Sequence, residues 1–401
     1  MKVLLKSVAV LSLASVLPAL SSAQHYNQKN LVSDISQPSN ADHSAVVLDP
    51  NLKNPWGITR SSGSPWWISN NNSGTSTLYV IDSDGNAVPT KNFPDPPGST
   101  FDNFVIVPPP GFTPGAAATP TGIVFNGSPT DFILDKGTPP GNPAVFIFAT
   151  EDGTISGWNP MDNIPAGGKP PSINAVLEVD NSGNGSPNGA VYKGATTADI
   201  HGVRYLYVTN FRRARVEVYD TSFHRVHFGE EAFEDESIPE GFAPFNIQNI
   251  GGSLFVTYAK QDAARHDDVK GDGNGYVDIY SPAGRLEGRL QHGPWMNSPW
   301  GVVWTPRDFG EFSNTILVGN FGSGWIAAFN GFTRKFIDFM HNPDHDSSLV
   351  TIHGLWSLTF GNGAKAGPST TLFFSAGIND ESDGLFGTLT PVDAEQDGDE
   401  Q

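Results

Sequence analysis

A short segment recurs six times along the chain, and this repeat restricts the fold more than any other feature. It starts with a polar residue and a Pro or Gly, or their near equivalents, and runs into alternating apolar positions. The copies are Asn54-Pro55-Trp56-Gly57-Ile58, Thr119-Pro120-Thr121-Gly122-Ile123, Pro187-Asn188-Gly189-Ala190-Val191, Ala243-Pro244-Phe245-Asn246-Ile247, Ser298-Pro299-Trp300-Gly301-Val302 and Ile352-His353-Gly354-Leu355-Trp356. Behind each copy lies an apolar stretch that ends in a polar turn, at 66–70, 145–150, 205–210, 254–259, 316–320 and 372–376. A third stretch usually follows at once, at 154–158, 215–219, 276–280, 325–329 and 385–389. Alternation of Val, Ile, Tyr and Phe with polar residues is the period of a β-strand. Units of about 60 residues leave room for four short strands and their loops. The repeat therefore predicts an all-β chain folded as a six-bladed β-propeller. The 44 Gly and 32 Pro agree, because both residues break helices and build turns.

The sixth unit runs out of chain. After 385–389 come Thr390-Pro391 and a polar, acidic end at 392–401, which is expected to be disordered. No fourth strand remains there. The strand-like segment Lys29-Asn30-Leu31-Val32-Ser33-Asp34 is predicted to supply it, so that the N-terminal strand closes the ring. The propeller is then expected to occupy 24–391. Two Pro- and Gly-rich runs, 94–118 and 137–143, read as long loops, with 101–107 as an outer strand.

Residues 1–23 read as a secretory signal. Lys2 and Lys6 precede an apolar run at 8–17, and Ser21-Ser22-Ala23 forms a small-residue cleavage site. That run is too short to span a bilayer, and no later stretch is longer. The expectation is a secreted, extracellular monomer without a membrane span. Sequons at Asn71, Asn126 and Asn184 would accept glycans in a eukaryotic secretory route. The chain has no Cys, which removes disulfides, thiolate metal sites and Cys nucleophiles. A net charge of −19 argues against nucleic acid as a partner, because phosphate contacts need clustered cations.

Several longer motifs carry a family resemblance. They are Asn54-Pro55-Trp56-Gly57, the run from Phe148 to Trp158, Phe242 to Gln248, Thr257 to Asp262, Leu317 to Gly322 and His353 to Leu358. Together they resemble a family of secreted conserved hypothetical proteins, over roughly Asn30 to Thr388. Some bacterial members end in an exported-protein sorting tail, which the acidic end of this chain lacks. The resemblance implies a six-bladed propeller of the kind found in NHL-repeat, gluconolactonase and strictosidine-synthase-like proteins. It implies no particular activity.

No G-x-S-x-G, H-E-x-x-H or P-loop signature is present. The functional reading is therefore geometric. In a propeller, the segments leading into the innermost strands and the turns after the second strands share one face, the top. Asn54, Glu151, Asn188, Asn246 and His353 fall there, and oxygen-rich side chains around an axis suit a hard cation such as Ca2+. Asn and Asp at these places also cap turns. Lys260 and Asp262, which open the long loop 260–275, and Arg212, in the dense basic turn with Arg213 and Arg215, are candidate ligand contacts. Trp56 and Trp300 read either as interblade core or as platforms for a sugar or other small ligand. His341, His345 and Asp346 form a further polar cluster. Two readings follow. The first is a secreted propeller that binds a small molecule, a glycan or a protein on its top face. The alternative is a divalent-metal-dependent, lactonase- or hydrolase-like or biosynthetic enzyme using the central pocket.

Overall fold

The computed structural model describes residues 25–36, 45, 47–90, 103–112, 116–136, 141–164, 171–183, 186, 188–343 and 348–392. The signal and acidic-tail readings, Asn184, His345 and Asp346 lie outside the described residues. The chain opens with β1 (Tyr26–Ser33) and β2 (Val47–Leu48). The first blade is β3 (Pro55–Thr59), β4 (Trp66–Asn70), β5 (Thr75–Ile81), β6 (Ala87–Pro89) and β7 (Phe104–Ile106). The second is β8 (Pro120–Phe125), β9 (Phe146–Thr150), β10 (Thr154–Trp158) and β11 (Val176–Asp180). The third is β12 (Tyr192–Ile200), β13 (Val203–Asn210), β14 (Arg215–Tyr219) and β15 (Arg225–Val226). The fourth is β16 (Phe242–Ile250), β17 (Ser253–Lys260), β18 (Gly275–Tyr280) and β19 (Leu286–Arg289). The fifth is β20 (Pro299–Trp304), β21 (Thr315–Asn320), β22 (Ile326–Asn330) and β23 (Phe336–Phe339). The sixth is β24 (Leu355–Phe360), β25 (Leu372–Ile378) and β26 (Asp383–Pro391), completed by β1 and β2.

The innermost strands touch in the order β3, β8, β12, β16, β20, β24 and back to β3, so the ring is closed. β1 pairs antiparallel with β26 from Tyr26 opposite Pro391 to Ser33 opposite Leu385, with a bulge at Leu31. The N-terminal strand thus fills the place left by the missing fourth strand, as expected. Tyr26 pins its start by donating to Phe309 O at 3.0 Å and accepting from Phe312 N at 3.2 Å. The outer strand expected at 101–107 is β7, which shares β5 with β6 and extends the edge of the first blade.

Six of the buried apolar clusters among the described residues each lie between two adjacent blades, and a further one lies on the axis. Both faces of each blade are covered in this way, which is why β4, β9 and β10 are buried along their whole length. Near the axis the strands crowd. A Cβ on Gly57 would stand 2.6 Å from Thr121 O, and one on Gly122 would stand 2.5 Å from Ala195 N. Glycine is required at these two positions by backbone approach.

The third repeat is out of the register read from the sequence. Its innermost strand begins at Tyr192, and Asn188 lies in the turn before it. The position equivalent to Gly57 and Gly122 is Gly194, packed against the backbone of Asn246 and Ile247. The residues that precede these tight contacts are Trp56, Thr121, Lys193, Phe245, Trp300 and Trp356, one from each blade, and all are buried. Four of them are aromatic and pack together on the axis, while Thr121 and Lys193 are polar, and Lys193 alone carries a charge.

Candidate functional site

The axial plug is aromatic. Trp56 stacks on Trp356 with ring centroids 3.5 Å apart, Phe321 stacks on the other side of this group at 3.9 Å from Trp356, and Trp300 meets Trp56 edge-on at 6.2 Å. The Lys193 ammonium lies 4.9 Å from the Trp56 ring centroid, with Phe211 and Phe245 at 5.7 and 6.0 Å. Its side chain is 2% exposed. A bare ammonium at that depth is costly, so it must be paired.

The pairing comes from loops of other blades. Lys193 Nζ binds Glu151, from the turn between β9 and β10, and lies 3.5 Å from Asp267, in the loop between β17 and β18. Asn71 Nδ2, from the first blade, donates to Glu151 Oε2 at 2.7 Å. His266 Nδ1 lies 2.8 Å from Asp267 Oδ1. On the opposite side Asn54 Nδ2 donates to Glu381 Oε2 at 3.0 Å, and Asn54 Oδ1 accepts from Trp356 Nε1 at 3.1 Å. Beside Glu381 is a pocket of about 240 Å³ lined by Lys270, Phe321, Ser323, His353, Asp380 and Glu381 among others.

Charge is unevenly divided in this cup. Burial pulls the Lys193 ammonium down, and Glu151, Asp267 and Asp268 outweigh it, so Lys193 is held above its ordinary value. The hydrogen bond from His266, reinforced by Lys193 and only opposed by burial, draws the Asp267 carboxyl down to about 2. The same bond raises the His266 imidazole against the effect of burial. Burial raises Asp268, and it raises Glu381, which the Asn54 amide pulls back and Glu151 pushes further up. The carboxylates outnumber the cations that answer them, and the cup is rich in acceptors.

The five residues expected to ring a calcium ion have separate partners or surroundings in this fold. Asn246 is buried beneath the cup and donates its amide to Trp300 O at 2.8 Å. Asn188 is exposed, and its carbonyl accepts from Arg213 at 2.6 Å, at a different cavity. Asn54 has its one oxygen committed to Trp356. His353 lines the small pocket. Glu151 is the member that joins a metal-competent group, with His266 and Asp267, whose ligand atoms lie within 4.8 Å of one another. An imidazole with two carboxylates suits zinc or another transition metal better than calcium.

The ligand-contact candidates also separate. Asp262 Oδ1 caps its own loop by accepting from His266 N and Asp267 N, at 2.8 and 3.3 Å. Lys260 is exposed at the end of β17. Arg212 donates to Gly189 O at 3.0 Å. Trp56 and Trp300 are 2% and 4% exposed, so their rings are plug and not platform. Asn71 and Asn126 are buried with their amide nitrogens engaged, Asn126 by three carbonyls, so neither sequon is presented to solvent in this fold. His266 and Asp267 lie in the long loop 260–275 that the sequence marks as a candidate ligand-contacting segment, whereas nothing in the sequence singles out Glu381. The signal for Lys193 is its place before Gly194, where four of the other five repeats carry an aromatic and the second carries Thr121.

No family model matches the chain. The chain is 36% identical over 216 residues to uncharacterized protein R640 of Acanthamoeba polyphaga mimivirus, a match that covers 53% of this chain and 37% of that protein. The chain thus spans just over a third of that relative's length. It is 28% identical over 366 residues to uncharacterized protein R648 of the same virus, covering 88% of this chain and 78% of the relative. Among solved structures, an auxiliary nutrient binding protein from Bacteroides ovatus aligns with a TM-score of 0.49 at 11% identity, over 92% of this chain and 78% of that one. A putative gluconolactonase aligns with a TM-score of 0.37 at 13% identity, over 69% of this chain and 90% of that one.

Proposed function

We propose that the protein is a secreted binding propeller whose axial cup takes a small hydroxyl-rich molecule, about the size of one sugar ring. The observation that supports this most is Lys193, a desolvated ammonium set among Glu151 and Asp267 at a position where an aromatic would serve the fold. Buried ion pairs add little stability compared with apolar residues of similar volume. An axial lysine is therefore a poor choice for a plug and a useful one for a polar ligand. Asp380 and Glu381 accept from hydroxyl groups and Lys270 donates, while Lys193 holds Glu151 and Asn54 holds Glu381. A pocket of about 240 Å³ falls below the usual range of about 300–1,000 Å³ for drug-sized ligands. Size thus favours a single small molecule over a protein or a long glycan.

The test is a thermal-shift titration with free hexoses and pentoses. A saturable rise in Tm that disappears in Glu381→Gln and Lys270→Ala supports the reading. Absence of any response to the whole sugar panel overturns it.

A second reading is favoured by the grouping of Glu151, His266 and Asp267: a divalent cation bound there, serving a lactonase- or hydrolase-like reaction. Lys193 already neutralises two of these three groups, so a metal has to displace its ammonium. Lys193→Met should then raise zinc affinity, measured by calorimetry. Unchanged, negligible zinc binding in that variant removes this second reading.

A further inference from the structure

A second cavity, on the third blade and away from the axial plug, has about 720 Å³ of space. Its polar wall carries Arg213, Arg215 and Arg225, half-buried Val179 supplies apolar surface, and buried Ala190, Tyr219 and Phe223 lie behind it. In a chain with a net charge of −19, three guanidiniums around one cavity are out of keeping with the rest of the surface.

The base of this cavity is built. Glu217 is 2% exposed. Its Oε1 accepts from Arg215 Nε and Nη2 at 3.0 and 2.7 Å and from Asn210 Nδ2 at 3.0 Å. Its Oε2 accepts from the Tyr192 and Tyr219 hydroxyls at 2.9 and 3.0 Å. Arg225 reaches Oε1 only at 3.4 Å. Arg225 is ion-paired with Glu217 through Nη1 alone, so its remaining donors are not used by that carboxylate. The other acids at the rim are committed as well. Asp180 accepts from Ser182 and from Gly111 N, and Asp220 caps its own turn by accepting from Ser222 N and His224 N. Arg213 donates to the Asn188 carbonyl and, like Arg225, carries several further donors. Glu217 fixes Arg215 in place, and among the described residues Arg213 meets no carboxylate and Arg225 meets only Glu217.

We infer that this cavity binds a small organic carboxylate, with its carboxylate on Arg213 and Arg225 and its apolar body over half-buried Val179. Planar two-point pairing with guanidinium favours a carboxylate. The surplus of three arginines over the two acids that line the cavity, Glu217 and Asp180, matches a monoanion. The site is independent of the axial cup. Tyr192 and Lys193 are adjacent on β12, and alternation along the strand sends one to this cavity and the other to the axis.

The experiment is calorimetric titration of the intact protein with phenylacetate, using phenylacetamide and inorganic phosphate as controls, and with a short peptide ending in Phe with a free or amidated C-terminus. Saturable binding of phenylacetate, with affinity reduced at least about tenfold in Arg213→Gln/Arg225→Gln, is the expected result. Binding of the free-ended peptide more tightly than phenylacetate identifies a chain terminus as the source of the carboxylate; the reverse identifies a free acid. Arg213 is exposed and pairs with a backbone carbonyl, so Arg213→Gln alone should keep its Tm and still weaken phenylacetate, whereas Arg225→Gln also removes the ion pair to Glu217. Equal binding of phenylacetamide, tighter binding of phosphate, unchanged affinity in the double variant, or no binding by any probe each overturns the assignment.

Discussion

Replacing Lys193 by Met tests whether the axial charge is a functional element or a structural one. Met keeps most of the volume and its contact with Trp56, so the change removes charge and little else. Two losses follow. The ammonium–ring contact at 4.9 Å is desolvated and should be worth about 1–2 kcal/mol. Glu151 then stays in the cup without its cation. Stranding one member of a buried pair costs about 3–5 kcal/mol when the partner is sealed. Here the penalty is lower, about 2 kcal/mol, because Asn71 still donates to Glu151 and Asp267 is 66% exposed and can be hydrated. The sum is about 3–4 kcal/mol. For a chain of this size each kcal/mol moves Tm by about 1–2 °C, so differential scanning calorimetry should show a fall of about 3–8 °C. The double variant Lys193→Met/Glu151→Gln should recover about 2 kcal/mol, since a neutral amide no longer needs a cation and can still pair with Asn71. A single variant with wild-type Tm, or a double variant as unstable as the sum of the two singles, would refute this account of the cup.

The remaining predictions concern the ring and its pH response. Leu31→Ala should cost about 2–5 kcal/mol, because Leu31 is fully buried between the closing strand and the first blade; an unchanged denaturation midpoint would show that β1 does not hold the ring. Gly122→Ala should destabilise by about 1–3 kcal/mol or prevent folding, since the new Cβ meets the backbone of Ala195 and Gly194, and soluble protein of wild-type Tm would contradict the close approach. Burial pushes the Glu178 carboxyl up from 4.5 to about 7. A raised folded pKa means that its contribution to stability is complete below about pH 4.5 and is lost as pH rises through 7. Discounted for screening by water, the loss should be about 1–2 kcal/mol, and Glu178→Gln should gain Tm relative to wild type from pH 5 to pH 8; parallel pH profiles would argue against it.

Much of the fold was legible because its signals are local. Period-2 alternation marks each strand within a handful of residues, so β4, β10 and β14 have the bounds read from the sequence. The missing strand of the sixth unit and the apolar pair Leu31-Val32 were enough to predict closure by β1. The third repeat failed for a local reason as well. Asn188-Gly189 looks like a lead-in, while the true innermost strand opens on Tyr192-Lys193-Gly194, which has neither a Pro nor an aromatic at the axial position.

The cup could not be read in this way. Asn71, Glu151, Lys193, Asp267 and Glu381 come from five blades and are brought together by ring closure, with no fixed spacing along the chain. The same side chains that look alike in sequence then part company. Asn246 turns into the core because Gly194 lets the neighbouring strand approach, whereas Glu151 faces the axis because its turn projects beyond the sheet. Blade number, strand positions and ring closure follow from short-range alternation and from counting, so they can be read along the chain. Which polar groups meet at the axis depends on distances across blades, which alternation along the chain does not encode.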